Sequence, residues 1–367
     1  MADYKAIKGF TIQSVSSDPS NPIMGQVWYN TTTGKLKGGG AAAWATGNTY
    51  NDRRYAMAGA GTQTAAWIAS GYAPGAPGVT VNHEQYDGTS WSELANVSTA
   101  RFHMYTGAGT TTAALFAGGT KDPGNADEAE SWDGTSWSEE PDLGTARYAI
   151  GGLGTATAAL AYGGATSPHE QSEEYNGSAW AEGNNMNQGR SISSFAGLQT
   201  AGLIAGGWSE DAYQEEVEAY DGTSWSEVGD INTTRGDSAG CGIQTAALMI
   251  SGATAPITVN VEQYDGSSWT EIANVNTGRK SVPVGFGTTA AAIFCAGGTP
   301  SPSALTELWD GTSWTEVGDL PAGYRFSQGA GTQAAGLRFA GANPTPAQSN
   351  VTDEWTYGAV ASNWDTT

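Results

Sequence analysis

Short runs of small and apolar residues alternate with polar turns along this chain, and the alternation repeats. The segment RYAMAGAGTQTAAWIASG (Arg54–Gly71) predicts a strand of alternating Gly and Ala, a tight Gly-Thr turn, and a second, apolar strand ending at glycine. A variable loop follows, and then a strand carrying Glu-x-aromatic (Glu84 and Tyr86), the turn DGTS, and a strand led by Trp91. The Glu-x-aromatic step returns at Glu130/Trp132, Glu173/Tyr175, Glu218/Tyr220, Glu262/Tyr264 and Glu307/Trp309. DGTSW or a near copy ends at Trp91, Trp137, Trp180, Trp225, Trp269 and Trp314. With the outliers Trp44 and Trp364, eight tryptophans fall at spacings of 47, 46, 43, 45, 44, 45 and 50 residues. A strand-rich period in the forties predicts a propeller or an array of like units.

Each position in the unit has a physical reason. Asp-Gly and Asn-Gly supply the positive φ of a tight turn. A strand of Gly and Ala suits the innermost position, where units converge and large side chains do not fit. The tryptophans and the strand-c aromatics fill the wider gap farther out, each covering on the order of 150–250 Å². Ten residues after the tryptophans come Arg54, Arg101, Arg147, Arg190, Arg235 and Arg279, while Arg325 follows Trp314 by eleven. The repeated arginines and glutamates are expected to pair with each other or with main-chain carbonyls, as structural and not catalytic groups.

Residues 1–43 stand outside the repeat. Asp18-Pro19 and Asn21-Pro22 interrupt regular structure, and GQVWYNTTTGKLKG (Gly25–Gly38) predicts a hairpin. A lone hairpin is marginal in water, so Trp28 and Tyr29, with Lys35 and Lys37, are candidates for attachment to another surface. Two domains result: an arm, 1–43, and a repeat body, 44–367.

Charge changes the picture in one respect. The chain carries −22 overall; residues 1–40 hold four lysines against two aspartates, and the rest hold eleven positive against thirty-five negative side chains. Such an acidic body repels phosphate backbones, so nucleic acid is not an expected partner. Cys241 and Cys295 form no disulfide framework. No apolar run approaches membrane-spanning length and the N-terminus lacks a signal-peptide core, so a soluble protein made in a cytoplasm is expected, without membrane insertion.

The Gly pair closing strand b (Gly118-Gly119, Gly163-Gly164, Gly206-Gly207, Gly297-Gly298), the variable loop, Glu-x-Tyr, the turn, the Trp and the downstream Arg together resemble the kelch repeat. The resemblance covers residues 44–367 and implies a seven-bladed β-propeller, all-β, with four antiparallel strands a to d per blade. Ser70-Gly71, Ser251-Gly252 and Gly341-Ala342 depart from the Gly pair. Seven a–b–c units face eight Trp segments, so either Ala43–Ala45 or Ser362–Thr367 supplies the last outer strand, with the C-terminal segment favoured. The pattern DPSNPIMGQVWYNTTTGKLK followed by near-identical RYxxAGAGTQTAAL copies also resembles structural proteins of tailed bacteriophages, particularly of marine hosts. That resemblance implies a tail fibre, spike or other exterior virion appendage, assembled in a bacterial cytoplasm.

The strand order sorts the connections by face. Turns a–b and c–d are short and uniform; connections b–c and d–a share the other face and vary, which is where binding residues usually lie. Blade 4 offers Trp208 and Tyr213 with Glu210 and Asp211, and blade 1 offers Tyr72 and His83, a set able to grip a glycan or a protein. Catalytic chemistry lacks a constellation: His83, His103 and His169 have no metal-ligand spacing, and His103 falls where strand a is expected. No cofactor and no metal is expected, although Asp122, Asp127 and Glu128 offer oxygen ligands of the kind calcium takes. The expected function is a non-enzymatic virion module attached to other virion proteins through residues 1–43, homo-oligomerisation remaining open. The alternatives are a receptor- or glycan-binding adhesin acting through the loop face and, last, a glycan-modifying enzyme.

Overall fold

A computed structural model describes residues 12–16, 27–32, 34–38, 42–73, 78–104, 107–209, 212–343 and 349–357, and every regular element among them is a β-strand. Seven four-stranded antiparallel sheets follow one another along the chain. Blade 1 consists of strands Ala58–Thr62, Ala65–Ala69, His83–Tyr86 and Trp91–Glu93, and blades 2 to 6 repeat that order. The inner strands contact one another in sequence around a circle, and blade 7 touches blade 1. The chain is a seven-bladed β-propeller.

The ring is closed by the N-terminal side. Ala43–Thr46 pairs antiparallel with Thr352–Thr356 as the outer strand of blade 7, with Trp44 opposite Trp355. The favoured closure by Ser362–Thr367 is thereby corrected, and that segment lies outside the described residues. The physical reason lies in the turn. Elsewhere Asp-Gly directly follows the strand-c aromatic and returns the chain, whereas Trp355 is followed by Thr-Tyr-Gly-Ala, which has no such return. Trp44 instead takes the site that Trp91 takes opposite Tyr86 in blade 1.

Glycine and alanine in strand a are demanded by crowding. A Cβ built on Gly329 of blade 7 would fall 2.2 Å from Val284 Cγ1 of blade 6. The indoles wedge the outer gaps: Trp137 of blade 2 lies 5.8 Å from Trp67 of blade 1, ring to ring. Trp91 Nε1 donates to Thr352 Oγ1 of blade 7 at 2.7 Å, and Trp225 Nε1 of blade 4 to Ser172 Oγ of blade 3 at 3.1 Å. In each DGTSW turn the aspartate accepts two backbone N–H groups, as Asp87 Oδ1 does from Thr89 and Ser90 at 2.8 Å. Asn176 reproduces both bonds in the NGSAW copy.

The arginine–glutamate pairs form as the repeat predicts. Six buried ion pairs join Arg54, Arg101, Arg147, Arg190, Arg235 and Arg279 to Glu84, Glu130, Glu173, Glu218, Glu262 and Glu307 at 2.6–3.1 Å. The second glutamate oxygen accepts a backbone N–H from the incoming d–a connection, as Glu218 Oε2 does from Asn187 at 2.7 Å. Each carboxylate therefore ties its own strand c to the chain arriving from the previous blade. Removing one partner of such a pair costs about 3–5 kcal/mol, because the other is left charged in the interior. A second set of ties was not read from the sequence: Gln199, Gln244 and Gln333, in the a–b turns, donate to main-chain carbonyls of the preceding blade.

Blade 7 departs from the expected arginine register. Counting back from the turn glycine, Tyr324 and not Arg325 holds the arginine position. The charge arrives from strand b: Arg338 ion-pairs with Asp353 directly opposite on strand c, and its guanidinium sits 3.5 Å from the centre of the Tyr324 ring. The Gly pairs shift as well. The left-handed positions in blades 6 and 7 are Ala296-Gly297 and Ala340-Gly341, one residue earlier than expected. Where serine stands first in the pair, its hydroxyl does further service: Ser70 Oγ and Ser251 Oγ each accept the N–H of the next blade's arginine at 2.7 Å.

The arm forms a three-stranded sheet, Val27–Asn30 paired antiparallel with Lys35–Gly38 and parallel with Gln13–Val15. The hairpin matches expectation and the third strand adds to it. Of the two aromatics, Trp28 is buried and Tyr29 is 39% exposed. The side chains of Lys35 and Lys37 lie outside the described set.

Candidate functional site

Two residues after each conserved register position, seven equivalent residues enter strand a: Ala56, His103, Ala149, Ile192, Asp237, Ser281 and Phe326. All have φ between +52° and +65°, and none is glycine. A β-branched or bulky residue there is a genuine outlier. The copies agree in backbone yet share almost nothing in side chain, unlike the tryptophans and arginines a few residues away. The position therefore carries side chains that the scaffold does not ask for.

On blades 7, 1, 2 and 3 these residues and their neighbours form a continuous arc of rings. Phe326 lies 6.4 Å from Tyr55, Tyr55 5.5 Å from Tyr72, and Tyr72 5.5 Å from Phe102. Phe102 lies 4.5 Å from His103, and His103 6.0 Å from Tyr148. All six are partly exposed. Burial holds the His103 imidazole below its ordinary pKa, which favours its neutral form.

On the remaining blades the same level opens into a cavity of about 180 Å³ at the start of the inner strands. Ala149 and Ser327 line it, and each follows an end of the aromatic arc in sequence (Tyr148 and Phe326). Blades 4 and 5 add Ser191, Ile192, Ser193, Ser194, Asp237 and Ser238. Ser194 Oγ and Ser238 Oγ lie 2.7 Å apart. Asp237 Oδ2 accepts the Ser281 N–H at 3.2 Å. Asp237 keeps some contact with solvent, yet the surrounding walls desolvate its carboxylate and push it above the usual carboxylate range. Arg190 also lines the cavity, but its charge is committed to Glu218.

The loop-face candidates cluster at this mouth. Tyr72 belongs to the arc. Trp208 and Tyr213 form a two-residue hairpin of their own, Trp208–Ser209 with Ala212–Tyr213, their rings 4.8 Å apart and edge to face. Trp208 exchanges backbone hydrogen bonds with Ser191 of the cavity wall at 2.8 Å. Burial first, and the nearby Asp237 charge second, raise the Tyr213 phenol. Glu210 and Asp211 lie outside the described residues.

The histidines resolve differently. His83 is corrected from loop to strand c: it is fully buried between blades, 4.4 Å from Trp132 and 5.2 Å from Trp137, and burial lowers its pKa to about 4. His103 precedes strand a of blade 2 (Ala108–Thr110) instead of lying in it. His169 Nδ1 lies 2.9 Å from the Gly164 carbonyl. Among the described residues no cluster of three metal-ligating side chains occurs. Of the oxygen ligands weighed for calcium, Glu128 and Asp127 instead pair with the Lys121 ammonium. Both cysteines are buried thiols, pushed up to about 12 by burial.

Asp237, Ile192, the serines and four of the six arc residues were not singled out from the sequence. The signal was present: the two residues after each register position read Tyr-Ala, Phe-His, Tyr-Ala, Ser-Ile, Gly-Asp, Lys-Ser and Arg-Phe, whereas the register residue just before them is arginine in six of the seven copies. Reading the whole stretch as the start of strand a concealed it.

With this geometry in view, comparison with known proteins adds the fold and nothing finer. The solved structure of YjhT matches with a TM-score of 0.53, covering 83% of this chain and 95% of that one at 14% identity. The likeness is one of fold. No protein-family model and no curated protein sequence matches the chain.

Proposed function

We propose that this chain is a kelch-type propeller acting as a non-enzymatic exterior module of a bacteriophage virion, held to other virion proteins by residues 1–43 and presenting its loop face outward. The observation that carries this reading is the unlike character of the two faces. One is built from six near-identical Asp- or Asn-Gly turns; the other gathers aromatics, hydroxyls and a carboxylate around the axis. A rigid ring with one uniform face and one individual face suits a module that is mounted and makes contact. The three strands of the arm sheet pair only with one another among the described residues, and the last residue assigned to the arm, Ala43, already opens the closing strand. The virion assignment itself rests on the sequence resemblance. A host-surface receptor or glycan is the outward partner favoured by Tyr72, Trp208 and Tyr213.

Deleting residues 1–40 spares the closing strand. The truncated protein is expected to keep the thermal midpoint of the full chain and to be absent from assembled particles by quantitative proteomics. Normal incorporation of the truncated chain sinks the arm's role.

A further inference from the structure

We propose that the axial mouth on the loop face binds one uncharged sugar ring, the terminal residue of a surface glycan. The inference rests on the reading of that face as the outward one and goes beyond it by naming the seat and the ligand class.

Size speaks first. At about 180 Å³ the cavity is smaller than the roughly 300–1,000 Å³ of pockets that enclose drug-sized ligands, so it seats a single ring and leaves the rest of a glycan outside. Chemistry speaks next. A sugar hydroxyl both donates and accepts, and a matching site must offer both functions. Ser193, Ser238 and Ser327 do so from three blades, and Asp237 adds a strong acceptor. A sugar ring also carries an apolar C–H face, and Ile150, Ile192 and Val282 give the cavity apolar wall, while the aromatic arc ends at Tyr148 and Phe326, next in sequence to the lining residues Ala149 and Ser327.

Charge excludes the acidic sugars. Of the two charged side chains lining the cavity, Arg190 is committed to Glu218, which leaves Asp237 to face a bound residue; Lys280 and Arg325 do not line it, the Arg325 guanidinium lying 5.5 Å from the centre of the Phe326 ring. Finally, Ile192 lines the cavity, is 42% exposed, and holds a left-handed backbone that disfavours a β-branched side chain. Strain kept at seven equivalent positions with seven-fold backbone agreement and divergent side chains fits a recognition ring.

The test uses the full chain on immobilised oligomers of neutral hexoses, N-acetylhexosamines and uronic acids, with host-cell adsorption measured in parallel. Circular dichroism and thermal melting check that each variant folds. Neutral or N-acetylated oligomers are expected to bind. Asp237→Asn keeps the local hydrogen bonds and tolerates the left-handed backbone, and is expected to weaken binding about tenfold. Ile192→Trp, which fills the mouth, is expected to abolish it. Preference for uronic acids that is lost on Lys280→Ala but kept in Asp237→Asn overturns the proposal. So does neutral-sugar binding untouched by Ile192→Trp, or no sugar binding at all. Cell adsorption that survives Ile192→Trp but not Trp208→Ala/Tyr213→Ala overturns the axial seat while leaving the outward-face reading standing.

Discussion

The rim between blades and the mouth at the axis are built from the same seven repeats, yet they obey opposite rules. At the rim the copies agree: indole, glutamate and arginine recur because each fills the same gap or neutralises the same buried charge. At the mouth the copies keep one strained backbone and differ in almost every side chain. Seven copies in one chain act as an internal control. Agreement marks what the ring needs to stand, and divergence marks where the ring leaves residues free for contact.

Blade 7 offers the most forceful way to break that contrast, since there the rim rule is obeyed with different parts. Arg338→Ile removes the ion-pair partner of Asp353 and is expected to cost about 3–5 kcal/mol by denaturant unfolding. Adding Tyr324→Arg and Asp353→Glu rebuilds the arrangement of the other six blades and is expected to recover most of the loss. No recovery in the triple variant would show that blade 7 tolerates only its own solution.

A pH titration sharpens the rim side further. His83 sits neutral among Trp67, Trp132 and Trp137, its pKa lowered from 6.5 to about 4 by burial, the Ala95 carbonyl opposing and Arg54 adding. The unfolded chain binds this proton first as pH falls, so the stability it contributes is complete above pH 6.5 and is lost between there and pH 4. The loss is expected to reach roughly 3 kcal/mol across that window, and His83→Phe should flatten the profile of melting temperature against pH. An unchanged slope in the variant would place the acid sensitivity of that window in other groups, and not in the turn aspartates. Asp133, Asp265 and Asp310 are held at about 2 by side-chain and backbone donors, and so act only below the ordinary carboxylate range.

The smallest expected effect tests the mouth. Ile192→Gly relieves a left-handed β-branched residue, and the relief of roughly 1–3 kcal/mol outweighs the extra backbone freedom of glycine, about 0.5–1 kcal/mol. A net stabilisation near 1 kcal/mol is expected in chemical denaturation. Destabilisation would mean that Ile192 packs for the fold, and the mouth would then lose its distinction from the rim.

Much of the ring was legible in the residues. The tryptophan register, the Gly-Ala inner strands and the Arg–Glu pairing each follow from a local demand repeated often enough to read. The site was less so. Tyr72, Trp208 and Tyr213 were visible as aromatics in variable loops, but Asp237 and Ile192 lie within a stretch whose apolar, small-residue texture reads as strand. His83 looked like a loop residue because its strand begins one residue after a long variable connection.

By itself, then, the chain determined the number of units, their strand order and the chemistry of the wedge between them, because those depend on contacts between residues of one unit and its nearest neighbours. Which end closes the circle was decided only in three dimensions, where Trp355 needed a partner that the following residues do not return and Trp44 supplies. Likewise, only the ring's curvature brings Phe326 to Tyr55. Residues hundreds of positions apart meet at an axis that no single repeat contains.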